Sequence, residues 1–234
     1  MPNLLDLLAA HLPPPRYDFG VGDLRGLLPA PYDAFPLGIA ILRQLDDDIL
    51  AGIAAGPTPA YLDHYHAINR ELADRSERLA QALREIGHDS LALPPTVDDP
   101  NLQAHYLANL AVPVSHKLVA TRAGRGWIGK TDLLVSTKFG PRIRLASVLT
   151  YAPLPTDSPI DDSRCGRCDD CVAACPAQAA NGLRWRAGLA REVFFDAFAC
   201  RTYCRKISQE TLGEAISLCG LCVRVCPVGS SHPK

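Results

Sequence analysis

The stretch CGRCDDCVAACP, residues 165–176, decides how this chain is read. Its thiols fall at Cys165, Cys168, Cys171 and Cys175, and Pro176 closes the run. A second stretch, CGLCVRVCP at 219–227, supplies Cys219, Cys222 and Cys226 ahead of Pro227; Cys200 and Cys204 lie upstream of it. All nine cysteines lie between Cys165 and Cys226, and the first 164 residues contain none. The opening segment MPNLLDLLAAHLPPPRYDFG lacks a basic leader region and meets three prolines at once, so it does not read as an export signal. Clustered thiols in such a chain are expected to stay reduced and hold metal, in the cytoplasm, rather than to pair as disulfides.

Outward from the cysteines, YAPLPTDSPIDDS at 151–163 carries three prolines and several turn formers, and marks a boundary. It predicts a cysteine-free α/β domain over 1–155 and a small cofactor-built domain over 156–234. The 234 residues are 47% hydrophobic and 21% charged, which excludes a disordered or fibrous chain. No apolar run approaches the length that crosses a bilayer, so no membrane segment is expected. A formal net charge of −1 argues against a generally basic nucleic-acid binder, so DNA is not an expected partner.

The first part mixes helices and strands, an α+β pattern. Leu4–His11 reads as a helix ended by Pro13, and Phe35–Leu42 as a buried strand, with a helix starting at Asp46–Asp48. In the clearest helix Thr58 caps Pro59, Gly87 ends the run, and Leu62, Tyr65, Ile68, Leu72, Leu79, Leu83 and Ile86 mark one buried face. Ser115–Ala123 reads as a short helix closed by Gly124. Asp132–Ser136 and Arg142–Thr150 read as strands around the turn Phe139-Gly140-Pro141-Arg142. Arg142 and Arg144 alternate on one strand face, either solvated or meeting an anionic cofactor tail.

GRGWIGKT at 124–131 satisfies both the Walker A pattern and the dinucleotide fingerprint. Both need a strand before the loop and a helix after it, so that helix amides face the phosphates. Here SHKLVATRA before the loop reads as a helix and DLLVS after it as a strand, so nucleotide binding is rejected. A glycine turn beside another large cofactor fits better.

The run at 165–176 resembles that of bacterial ferredoxins, whose fourth cysteine ligates a neighbouring cluster. The resemblance implies two [4Fe–4S] clusters with reciprocal ligands: Cys165, Cys168, Cys171 and Cys226 for one, and Cys175, Cys219, Cys222 with either Cys200 or Cys204 for the other. A pair of zinc sites is the alternative, but three cysteines in successive steps of three are unusual for zinc.

Together these features resemble the epoxyqueuosine reductase family, from about Phe35 to Val228. The resemblance rests on Ala123-Gly124-x-Gly126-Trp127-Ile128-Gly129-Lys130, on both cysteine runs, and on Asp196-x3-Cys200-x2-Tyr203. It implies a nitroreductase-like α/β domain followed by a two-cluster ferredoxin-like domain, in a cytoplasmic oxidoreductase. It picks Cys200 as the eighth ligand and leaves Cys204 spare. It also implies a cobalamin reduced by the clusters, with Gly124, Gly126, Trp127, Ile128, Gly129 and Lys130 against the corrin and Tyr65 near the site. The expected reductant is an electron donor such as ferredoxin or flavodoxin.

Two departures separate the chain from that pattern. The family's proton-donating aspartate falls at or beside Leu110, which has no proton to give; His116, His105 and His66 are the candidates to replace it. The sequence also reads as a short member, without the helical-repeat extension that helps longer members grip tRNA. With the slightly negative charge, this predicts a small-molecule or protein-bound substrate rather than tRNA. The competing reading is a non-catalytic two-cluster electron carrier whose first domain docks partners.

Overall fold

A computed structural model describes residues 3–96 and 100–229. The chain divides into two compact units that interleave along the sequence. One comprises Met1–Gln44, Ile68–Arg125 and Arg144–Ile160, and the other Leu45–Ala67, Gly126–Ile143 and Asp161–Lys234. The last junction falls at 160/161, inside the proline-rich segment and close to the expected 155/156 break. The earlier junctions had no compositional signal.

The first unit is built on helix α1 (Leu4–His11) and a four-stranded sheet. Strand β1 (Tyr17–Asp23) pairs antiparallel with β2 (Leu37–Gln44), Tyr17 opposite Arg43 and Asp23 opposite Leu37. The expected strand at Phe35–Leu42 is therefore present, two residues later. Seven of its eight residues are buried, as in a strand covered on both faces. After helix α2 (Asp47–Ala51), which starts where the three aspartates predict, the chain enters α3 (Pro59–Glu85). Thr58 Oγ1 accepts the Tyr61 amide at 3.2 Å, and Gly87 adopts φ +92°, so both ends form as read. Ile68, Leu72, Leu79 and Leu83 are buried, but Ile86 lies past the last turn and is 39% exposed. Its place in the apolar stripe is corrected: the glycine turn carries the chain away before Ile86 reaches the core.

Strand β3 (Ser90–Leu93), helix α4 (Pro100–Asn109) and helix α5 (His116–Arg122) follow. Ser115 caps α5 by accepting the Lys117 amide at 3.3 Å, and α5 packs on β1 and β2. In the second unit β4 (Gly126–Ile128) and β5 (Leu134–Ser136) form a hairpin with Trp127 opposite Val135. Strand β6 (Ile143–Thr150) completes the four-stranded sheet in the order β1-β2-β6-β3, pairing antiparallel with β3. Helices α6 (Asp170–Ala173), α7 (Ala197–Leu212) and α8 (Leu221–Val225), with a 3₁₀ turn at Arg191–Val193, complete the second unit. Asp196 caps α7 by accepting the Ala199 amide at 2.9 Å, and Gly213 at φ +78° ends it. Among the described residues no helix is long and apolar enough to cross a membrane.

Candidate iron–sulfur centre

All nine cysteines belong to the second unit, and none is in a disulfide. Cys168 N donates to Cys165 O at 3.2 Å, and Gly166 takes φ +57° between them, which curls the first run into a loop. The single turn of α6 then lifts Cys175 away, its amide donating to Val172 O. On the other side Gly220 at φ +88° launches α8, placing Cys222 in the helix and Cys226 at its end. Because α6 and α8 pack together, the two runs meet. One cavity is lined by Cys165, Cys168, Cys171 and Cys226, with Cys222, Gly129 and Lys130 on its wall. Of the remaining thiols, Cys200 and Cys204 lie 3.9 Å apart on α7.

The chemistry of these donor sets fits a polynuclear cationic group. Burial, then the charges of Cys165, Cys226 and Cys168, push Cys171 up to about 11. Burial, then Cys200 and Cys219, push Cys222 up to about 12. Thiols packed this densely ionise together only around a compensating positive charge, which iron supplies. Cys165, Cys168, Cys171 and Cys226 surround a space, as corners around a cluster body require.

Several neighbours hold the thiols in place. Trp127 Nε1 donates to Cys165 Sγ at 3.3 Å. The buried Thr131 lines the same cavity as Cys171 and Cys222. Lys130 is buried, with Nζ 2.6 Å from Asp169 Oδ1. Arg142, only 5% exposed, donates to the carbonyls of Arg224, Cys226 and Val228 at 3.1, 2.9 and 2.9 Å, with Asp47 3.6 Å away. It is neither solvated nor open to a cofactor tail; its role is to tie down the Cys226 segment. Arg144 likewise is engaged, its Nε donating to Asn69 Oδ1 at 2.9 Å. Sequence reasoning singled out Arg142 but missed this role, for which its place beside a Phe-Gly-Pro turn at the head of an apolar strand was the available signal.

The glycine motif runs helix, turn, strand, the reverse of a phosphate-binding loop and the order its flanking sequence predicts. Its glycines are needed by the protein's own chain. A Cβ on Gly124 would stand 2.5 Å from Ser158 O, and one on Gly126 would stand 2.4 Å from Val135 O. Ile128 is buried opposite Leu134 in the hairpin. Trp127 reaches a thiol, and Gly129 and Lys130 line the cysteine cavity, so this loop supports the cysteines.

Of the three residues expected at the chemistry, Tyr65 and His66 sit on the first turns of α3 in the second unit, their rings edge-on at 5.4 Å. His116 starts α5 in the first unit, with Nε2 3.1 Å from Pro94 O and Nδ1 2.9 Å from Ser147 Oγ. Nε2–H therefore donates to the carbonyl and Nδ1 accepts the serine hydroxyl. Burial holds its pKa down to about 4, so the ring is neutral near pH 7 and its one proton is engaged. His105 is exposed on α4, and Leu110 follows that helix at φ +48°.

A pH dependence follows from His116. With its folded pKa below the unfolded value, the unfolded chain binds more protons across the interval from about 6.5 down to about 4. The stabilisation is complete above that interval and is lost as pH falls through it, by about 2 kcal/mol for a partly exposed ring. Urea titrations at several pH values should show this loss, and His116→Gln should remove most of it.

Residues 164–229 match the 4Fe–4S double cluster binding domain family. The fold and site thus define the class: an α+β iron–sulfur protein with a ferredoxin-like two-cluster domain. Among curated proteins, the epoxyqueuosine reductase of Pseudomonas aeruginosa is 28% identical over 186 residues, covering 77% of this chain and 47% of that protein. The chain is similar to epoxyqueuosine reductases, as its motifs imply, and spans about half the length of the curated relatives it matches. Among solved structures, a reductive dehalogenase described in terms of B12-dependent dehalogenation shares the fold, with TM-score 0.66 and 17% identity over 92% of this chain and 30% of that one. So does an epoxyqueuosine reductase holding a modified tRNA-Tyr stem loop, with TM-score 0.59 and 17% identity over 99% of this chain and 65% of that one.

Proposed function

We propose that this chain is an oxidoreductase resembling epoxyqueuosine reductase, with Cys165, Cys168, Cys171 and Cys226 holding one [4Fe–4S] cluster and Cys175, Cys200, Cys219 and Cys222 the other. The observation that carries the reading is the convergence of the first four thiols, from two distant runs, on one cavity. When bound, the clusters supply one-electron transfer from a low-potential carrier such as ferredoxin or flavodoxin. Trp127 donates a hydrogen bond to the Cys165 sulfur beside that cavity, which favours the added negative charge of a reduced centre.

A cobalamin is the acceptor the resemblance implies, and the B12-dependent dehalogenase with this fold supports considering it. Gly124, Gly126, Trp127, Ile128, Gly129 and Lys130 remain the residues proposed to lie against it. Tyr65 and His66 remain the proposed groups nearest the substrate. His116 is less suited as proton donor because both ring nitrogens are engaged. A second reading, a non-catalytic two-cluster electron carrier, is favoured by Leu110 standing at or beside the family's aspartate.

Electron paramagnetic resonance on anaerobically prepared protein, with and without cob(II)alamin, tests both. Reduced-cluster signals with a base-off cobalt spectrum are expected if the corrin site exists. Cluster signals with base-on cobalamin would favour the carrier, and absence of cluster signals and of labile sulfide would refute the iron–sulfur reading. Binding of a tRNA-Tyr stem loop, measured on the same sample across salt concentrations, tests the substrate class; no binding is expected.

A further inference from the structure

The eight proposed ligands fall into two sets with unequal surroundings. In the first set Trp127 Nε1 lies 3.3 Å from Cys165 Sγ, and an indole N–H can only donate, so the atoms themselves fix the direction of that bond. Arg164 precedes Cys165 in the chain, lines the same cavity, and holds its guanidinium carbon 5.9 Å from the centre of the Trp127 ring. Among the described residues no carboxylate pairs with Arg164. Cys168 of this set is also exposed. Around the second set the balance is reversed. Cys175, Cys200, Cys219 and Cys222 are only partly exposed, and among the described residues no side-chain N–H reaches their sulfurs. Cys200 meets another thiol, Cys204, at 3.9 Å. Arg201 stands about 100° round α7 from Cys200, whereas Asp196, one turn back, sets a carboxylate on the same side.

We propose that the centre held by Cys165, Cys168, Cys171 and Cys226 has the higher reduction potential of the two, set by the Trp127 N–H and the Arg164 cation, so that an electron on the second centre passes to it. This rests on the cluster reading above and adds a direction to it. Cluster potentials respond to hydrogen bonds on the sulfurs, nearby charge and solvent exposure, and all three differences point the same way. Reduction spreads negative charge onto the ligand sulfurs, so a donor and a cation beside Cys165 stabilise the reduced state more than the oxidised one. The transfer itself oxidises the second centre and reduces the first by one electron, with no bond made or broken. Trp127 and Arg164 act through Cys165 and touch no substrate in this scheme.

The test is an anaerobic redox titration of the reconstituted full chain, followed by electron paramagnetic resonance, with Cys168→Ser and Cys175→Ser used to assign each signal to its centre. In the unaltered protein the first centre should be reduced at the more positive potential. Trp127→Phe removes the N–H and should lower the equilibrium constant for electron transfer from the second centre to the first by about tenfold, equivalent to about 59 mV for a one-electron couple. Arg164→Gln should shift the first centre in the same direction, and Arg164→Lys, which keeps the charge, should restore it. Because Trp127 is buried, its replacement by 3-benzothienylalanine keeps the fused ring and removes only the donor, so the donor is still tested if the phenylalanine variant does not fold. A second centre more positive than the first in the unaltered protein would overturn the proposal. So would an unchanged first centre in the donor-less variants or in Arg164→Gln, and so would equal shifts at both centres, which mark a purely structural role. Absence of cluster signals and of labile sulfide in the unaltered protein would instead defeat the reading on which the proposal rests.

Discussion

Alanine at Gly140 is expected to destabilise the second unit by at least about 3 kcal/mol, and to lower iron retention at the Cys226 cluster. Gly140 takes φ +59°, where an L side chain is already strained, and its missing Cβ would stand 1.8 Å from Val228 O and 2.6 Å from Val228 C. The obstacle is backbone, so no rotamer change relieves it. Val228 lies two residues beyond Cys226, and its carbonyl is one of the three that Arg142 grips. Pushing that carbonyl outward moves the cysteine that closes the first set. Chemical denaturation and iron content of Gly140→Ala check this. A variant with native stability and full iron would show that the turn yields freely.

Arg142→Met is expected to act on the same segment by a different route. The guanidinium is buried and satisfies three consecutive-region carbonyls on one side while Asp47 balances its charge on the other. Methionine keeps much of the apolar stem but leaves those carbonyls without their donor, and each buried unpaired carbonyl carries a penalty of about 1–3 kcal/mol. A total loss of about 3–5 kcal/mol is expected, partly offset because the neutral side chain avoids burying a charge. Arg142→Lys should recover little, since one ammonium cannot reproduce a planar fork reaching three oxygens. The spectroscopic readout is selective: the centre holding Cys226 should be lost or altered before the one holding Cys200. Equal loss of both centres would mean that Arg142 supports the whole unit rather than this segment.

Much of the fold was legible because its signals are local. The stripe through Ile68, Leu72, Leu79 and Leu83 and the caps at Thr58 and Gly87 follow from steric and hydrogen-bonding rules acting within a few residues. Strand β1 was not legible: YDFGVGD has two glycines and two aspartates, and it becomes a strand because β2 pairs with its full length. Helix α4, PNLQAHYLAN, has too weak an apolar periodicity to stand out. The interleaving of the two units left no trace in composition, since the breaks at 44/45, 67/68 and 143/144 fall next to or within regular elements.

The cysteine spacing by itself determined the class of this protein, because thiol steps of three and four around a proline constrain which chain segments can surround one cluster. It also determined that two runs must cooperate. Only the tertiary structure decided what supports those thiols. Trp127 stands 38 residues from Cys165 and Arg142 stands 84 from Cys226, and no periodicity links them. The glycine motif shows the difference most plainly. Its pattern in sequence fits a phosphate loop or a corrin seat, yet hydrogen bonding turns it into a β-hairpin whose glycines admit the neighbouring backbone and whose tryptophan faces a cysteine. A motif specifies which residues are small or polar; the packing around it specifies what they touch.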